Sequence, residues 1–326
     1  MIRLLLLALL LLNAACARVV MPAGPAVQAP ALVEEAVIAA DGARLRLRRF
    51  APEAPPRAVL LALHGFNDHS GNFLVGSIDG LKEAGILVYA YDQRGFGLSP
   101  HRGYWPGAET LANDAAAAAR LVAARHPDLP LFLLGESMGA AVAILAATGD
   151  TPPPARGIIL LAPALWNRAL MNPFMRGGLW IGEHVFPGWP VQGSAPGVVA
   201  SDNEAALRRL RTDPLVIRTT RVDSGIGLIE LMDQAVAALP RCCGAPALLL
   251  YGAEDTVVPP RMTRAAVASL PPGTPLRFGV YGAGHHLLLA GGNREEVLRD
   301  ILAFIADQAA PLPSGAEAAA PAWINR

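Results

Sequence analysis

Six apolar runs of strand length recur along the chain with helical patterns between them, and that rhythm limits the fold more than any other feature. The runs are Ala58 to Leu63, Ile86 to Tyr91, Leu131 to Leu134, Gly157 to Leu161, Ala247 to Tyr251 and Leu276 to Tyr281. The first five are continuously apolar rather than alternating, as strands covered on both faces are, and the sixth is interrupted only by Arg277. Helical patterns fill most gaps, clearest at Glu109 to Arg125, Met138 to Ala147, Pro260 to Leu270 and Asn293 to Asp307. Pro260 suits a first helical turn and Asn293 an N-cap. Repeated strand-helix-strand units predict an α/β fold with a mostly parallel sheet flanked by helices. Ahead of them, Arg44 to Phe50 alternates basic and apolar residues behind the turn pair Asp41 and Gly42, which predicts an opening β-hairpin.

One gap breaks the rhythm. Between Ala162 and Pro246 lie 83 residues, far more than a simple connection needs. We expect a cap inserted at about residues 166–240, with Trp166 to Trp189 rich in Met, Phe and Trp, and Ser201 to Leu231 helical and more polar. The main domain is expected over 34–310. The Ala-, Pro- and Val-rich stretch 18–33 reads as a flexible linker, and 311–326 as a loose C-terminal tail.

The N-terminus has the pattern of a signal peptide over 1–17: Arg3, then the apolar run Leu4 to Leu12, then small residues Ala14, Ala15 and Ala17. That run is too short to span a bilayer. Cleavage after Ala17 and cleavage before Cys16 with lipid on its thiol both fit, since LLNAAC resembles a bacterial lipobox with Asn13 in place of the usual Leu. Either route predicts an exported protein, periplasmic or secreted in the first case and membrane-anchored at the cell envelope in the second. A formal net charge of zero with 17% charged residues provides no basic field for nucleic acid. Three cysteines exclude a disulfide-stapled miniprotein and a four-thiolate metal site. Cys242 and Cys243 read as two small residues entering a buried strand, a vicinal disulfide being the alternative.

Gly135, Glu136, Ser137, Met138 and Gly139 form a G-x-S-x-G element directly after one strand and directly before an Ala-rich helix. That is the setting of a nucleophile elbow, in which glycines allow a sharp turn under the serine. A serine hydroxyl needs a base, and the base needs a carboxylate to fix its tautomer. Asp255 follows one later strand in YGAEDTVVP and His285 follows the next in YGAGHHLLL, giving the order Ser, Asp, His. Glu254 is the neighbouring acid and His286 the neighbouring base. His69, His101, His126 and His184 have no metal-ligand spacing.

The runs HGFNDHS from His64, YDQRGFGLSP from Tyr91, GESMGA from Gly135, GAEDTVVP from Gly252 and GAGHH from Gly282 resemble the monoacylglycerol lipase and lysophospholipase group of the α/β-hydrolase superfamily over roughly residues 34–308. The resemblance implies an α/β-hydrolase fold with an inserted cap, and a carboxylic ester hydrolase that works through an acyl-enzyme on Ser137. It selects His285 as base and Asp255 as acid. It implies an oxyanion hole from the backbone N–H groups of Phe66 and Met138, with His64 structural. Asn67 and Asp68 stand where the group usually has Gly and Glu, and Phe96 replaces a common His. The implied partner is a small ester or lipid, with no metal and no organic cofactor. Met171, Phe174, Met175 and Trp180 are candidates either for an acyl channel or for ordinary core. An acyltransferase or peptidase on the same scaffold, and a non-catalytic ligand-binding member, are the rival readings.

Overall fold

A computed structural model describes residues 17–192 and 197–326. In chain order its main elements are β1 (Ala31–Val33), β2 (Ala36–Ile38), β3 (Arg44–Phe50), β4 (Ala58–Leu63), α1 (Ile78–Glu83), β5 (Ile86–Tyr91), α2 (Ala108–Arg125), β6 (Leu131–Glu136), α3 (Met138–Thr148), β7 (Gly157–Leu161), α4 (Pro173–Val185), β8 (Pro190–Gln192), α5 (Glu204–Thr212), β9 (Thr219–Arg221), α6 (Val222–Ala238), β10 (Ala247–Gly252), α7 (Pro260–Ala268), β11 (Leu276–Tyr281), α8 (Arg294–Ala306) and α9 (Ala316–Ile324). The main sheet runs β1-β2-β3-β5-β4-β6-β7-β10-β11. From β5 to β11 all neighbours are parallel, and β1 to β3 are antiparallel.

The apolar runs are strands because both faces are covered. Val59, Leu61 and Leu63 of β4 face one core with Leu111 and Val122 of α2, Ala140 and Ile144 of α3, and Leu231 and Ala235 of α6. The alternate residues Ala58, Leu60 and Ala62 face a second core with Leu81 of α1 and Val297, Ile301 and Phe304 of α8. Period-two side-chain alternation therefore feeds two cores from one apolar sequence. The chain lays β5 on one side of β4 and β6 on the other. Such a reversal opens a crevice beyond the carboxyl ends of the strands, where ligands bind in open α/β sheets.

Two expectations about the termini are corrected. The presumed flexible linker 18–33 is strapped to the domain: the Arg18 guanidinium pairs with both Glu230 carboxylate oxygens at 2.5 Å, Val19 N–H donates to Asp223, Met21 N–H donates to the Trp105 carbonyl, and residues 31–33 form β1. Its composition shows no period, yet these groups find partners one at a time. The presumed loose tail contains α9. Ala316, Ala320 and Trp323 are buried, and the Trp323 ring lies 5.0 Å from that of Tyr251 and 5.7 Å from that of Phe278. The i, i+4, i+7 stripe was present in the sequence but hidden by flanking Pro and Ala. Trp323→Ala is expected to lower unfolding stability by about 3–5 kcal/mol. Urea denaturation checks this, since a loose tail predicts a change within about 0.5 kcal/mol.

The insertion is a cap with a boundary narrower than 166–240. Helix α6 packs into the core of the domain, which leaves α4, α5 and the antiparallel ribbon β8–β9 as cap. Helix α4 has no buried residue, and Phe174, Trp180 and Ile181 on it are exposed. Met171 alone of the four channel-or-core candidates is buried. Cys242 and Cys243 are both buried just ahead of β10. Residues 1–16 of the expected signal peptide, Cys16 included, lie outside the described residues. Among the described residues no helix is long and apolar enough to cross a membrane.

Candidate active site

Ser137 sits between β6 and α3 with φ 54 and ψ −115, a backbone state that costs a non-glycine residue about 1–3 kcal/mol. The surroundings impose it. Ser137 N–H donates to the Leu161 carbonyl at 2.9 Å, and the Ser137 carbonyl accepts from Ala140, Ala141 and Ala164. Both glycines of the element are required by close approach: a Cβ on Gly135 would collide with the carbonyl of Gly139, and one on Gly139 with the carbonyl of Leu63. The elbow is thereby wedged against the end of β4.

The chain leaving β4 forms the facing wall. Gly65 is so near the nucleophile that a Cβ there would lie 3.4 Å from the Ser137 Cβ. Among the described residues no hydrogen bond engages the N–H of Phe66 or of Met138, which leaves both expected oxyanion donors free. The Phe66 ring is steadied by Phe96 and Trp105 at 5.6 and 6.3 Å. Both ring nitrogens of His64 are engaged by backbone groups. Its Nδ1–H donates to the Gly65 carbonyl at 2.8 Å and its Nε2 accepts from Gln93 N–H at 2.9 Å. Burial holds its pKa below the usual histidine value, so the ring is a neutral structural strut.

Asp255 is where the sequence placed the acid, in the loop after β10, and it is buried. Its Oδ1 accepts from the N–H groups of Val257 and Val258 at 2.7 and 3.0 Å. Its Oδ2 bonds the Nδ1 of His286 at 2.8 Å. The ring joined to the acid is therefore His286 and not the expected His285. Gly284 N–H closes a turn onto the Tyr281 carbonyl, and the residue that swings back to the acid is the second of the pair. His286 is buried; His285 is half-exposed, and its Nδ1 has no partner. Adjacent residues point in different directions, and a one-residue difference in the turn decides which ring reaches the carboxylate. With Nδ1 engaged, His286 Nε2 is the atom left for a serine proton. Among the described residues the Ser137 hydroxyl makes no hydrogen bond to either ring, so the acid-base arm is closed and the base-nucleophile arm is open.

Glu136, the residue before the nucleophile, escaped the sequence reading as a group of interest. It is buried, and its Oε2 has no partner. Burial first, then the charges of Asp68 and Asp255, push its pKa well above the usual carboxylate value. Above about pH 4.5 an unfolded chain releases this proton while the buried carboxyl keeps it. The unfolded state then binds fewer protons, so stability falls as pH rises toward the folded pKa. Glu136→Gln is expected to be more stable than the parent at pH 8 and to have a flatter stability profile between pH 5 and 8. Urea melts at the two pH values check this, and parallel curves for the two proteins would contradict it.

Three of the four remaining histidines have local partners, His69 in Asp213 at 3.0 Å, His126 in the Tyr89 hydroxyl and His184 in a stack on Trp180, and the fourth, His101, is exposed. Among the described residues no three His, Cys, Asp or Glu side chains gather to hold a metal ion.

The profile of the family described as serine aminopeptidase, S33 (Hydrolase_4) matches residues 54–291. The chain belongs to that family. The match runs from the loop before β4 through the His285 and His286 pair, so strands β4 to β11 and the cap lie within it. Mouse monoglyceride lipase is 31% identical over 228 residues, covering 67% of this chain and 72% of the mouse protein. A monoacylglycerol lipase of Mycolicibacterium smegmatis is 27% identical over 279 residues, 83% of this chain and 96% of that one. Among solved structures, monoacylglycerol lipase of Paleococcus ferrophilus superposes with a TM-score of 0.64 at 25% identity, over 81% of this chain and 99% of that chain. These likenesses bear out the α/β-hydrolase fold with its mostly parallel sheet and the resemblance to monoacylglycerol lipases.

Proposed function

We propose that this α/β-hydrolase is a carboxylic ester hydrolase acting on monoacylglycerols or similar single-chain lipid esters through an acyl-enzyme. The observation that carries the reading is the Asp255–His286 hydrogen bond, together with a serine held at strained angles in the turn between β6 and α3. In the first step the Ser137 oxygen attacks the ester carbonyl while His286 Nε2 takes the hydroxyl proton, with Asp255 holding the ring and offsetting its charge. The N–H groups of Phe66 and Met138 meet the charge that develops on the carbonyl oxygen. His286 then returns the proton to the leaving alcohol. Water repeats the sequence on the acyl-enzyme and releases the acid.

Two features support a lipid ester. The relatives named above are monoglyceride and monoacylglycerol lipases, and the cap offers apolar residues of α4 with Phe186 and Trp189 at the surface. The apolar N-terminal run and Cys16 support export, either by cleavage after Ala17 or by cleavage before Cys16 with a lipid anchor on its thiol at the cell envelope. The family description favours peptide-bond cleavage as the second reading.

Initial rates on monoacylglycerols, lysophospholipids, p-nitrophenyl esters of increasing chain length and aminoacyl anilides test the substrate class. We expect esters with a medium or long acyl chain to lead. Preference for the anilides would move the protein to the peptidase reading, and net acyl transfer to added alcohols would mark an acyltransferase.

A further inference from the structure

We propose that Asn67 is a positioning residue for the oxyanion donor beside it, and that it works through a hydrogen-bonded latch to the cap. The proposal rests on the ester-hydrolase reading, because the Phe66 N–H has a charge to meet only where Ser137 attacks a carbonyl. Asn67 follows Phe66 directly and has φ 64. Asparagine tolerates this left-handed state better than most residues, yet the state still needs outside support.

The cap supplies it. Ile217 N–H donates to the Asn67 carbonyl at 2.9 Å, and Asn67 Nδ2 donates to Thr220 Oγ1 at 2.7 Å. Two residues on, His69 Nε2 bonds Asp213 Oδ2 at 3.0 Å. Cap residues 213–220 therefore run along loop 67–69 and grip it at three points.

The donor is fixed from both sides. The Phe66 ring is set by Phe96 and Trp105 of the body, while the next residue is set by the cap. Thr220 belongs to β9, which pairs with β8 directly behind α4. The cap is in this way joined by two hydrogen bonds to the residue next to the oxyanion donor. Donors help only where they are aligned before charge develops, so a slack latch costs turnover rather than binding.

Three variants separate this role from ordinary loop stability. Asn67→Gly keeps the positive φ and removes the side-chain donor. Thr220→Val keeps the shape of a half-buried residue and removes the acceptor, and Thr220→Ser restores it. On a short-chain p-nitrophenyl ester, Asn67→Gly and Thr220→Val are expected to lower kcat about 10- to 30-fold, less than the loss of a whole donor. KM should stay within about twofold, Thr220→Ser should recover wild-type kcat, and the double variant should fall no further than either single one.

Unchanged kcat, a rise in KM alone, or losses that multiply in the double variant would overturn the latch. Ser137→Ala is assayed in parallel: retained turnover there removes the ester-hydrolase reading itself. A dead Ser137→Ala beside wild-type Asn67→Gly and Thr220→Val removes only the latch.

Discussion

His286→Ala is expected to lower kcat about 10⁴-fold or more, while His285→Ala stays within about threefold of wild type. The two rings are neighbours in the chain and differ in a single respect that matters, which is that Nδ1 of His286 is bonded to Asp255. An imidazole without that partner has neither its tautomer nor its orientation fixed, and its protonated form has no adjacent charge to offset it. His285 is partly exposed, and its Nδ1 is buried without a partner. Steady-state assays of both variants on one soluble ester decide the matter, provided circular dichroism shows each folded. If His285→Ala is the inactive one, the correction made from the geometry is wrong.

The second large effect concerns the nucleophile. Ser137→Ala and Ser137→Gly should each lose about 10⁵-fold or more in kcat, since no other hydroxyl occupies the elbow. They should differ in stability. Alanine inherits the strain of φ 54, whereas glycine adopts that conformation freely at an entropic cost of about 0.5–1 kcal/mol. Release of about 1–3 kcal/mol of strain outweighs that cost. Ser137→Gly should therefore unfold at higher urea than Ser137→Ala, by about 1 kcal/mol. Equal stabilities would mean that the turn stores no strain at the serine.

Most of this architecture was legible in the chain. The buried strands announce themselves because residues such as Leu60 and Leu61 feed opposite cores, so neither parity can be polar. The elbow was legible because Gly135 and Gly139 are demanded by backbone collisions that no other residue relieves. Asp255 was legible from its place after a strand. The choice between His285 and His286 was not, since it depends on the turn closed by Gly284 and not on residue type. The strap 18–33 and helix α9 were missed for a different reason. Their partners, such as Glu230 for Arg18 and Tyr251 for Trp323, are remote in sequence, and local composition shows nothing of them. Glu136 was passed over because burial of a carboxyl is a property of its surroundings.

The central claim is that His286, steered by Asp255, activates Ser137. Its most direct test is covalent labelling with a fluorophosphonate, followed by intact mass and peptide mapping. We predict one adduct per chain, on Ser137, formed rapidly in the wild type and in His285→Ala and negligibly in His286→Ala. An adduct on another residue, or labelling of His286→Ala at the wild-type rate, contradicts the account.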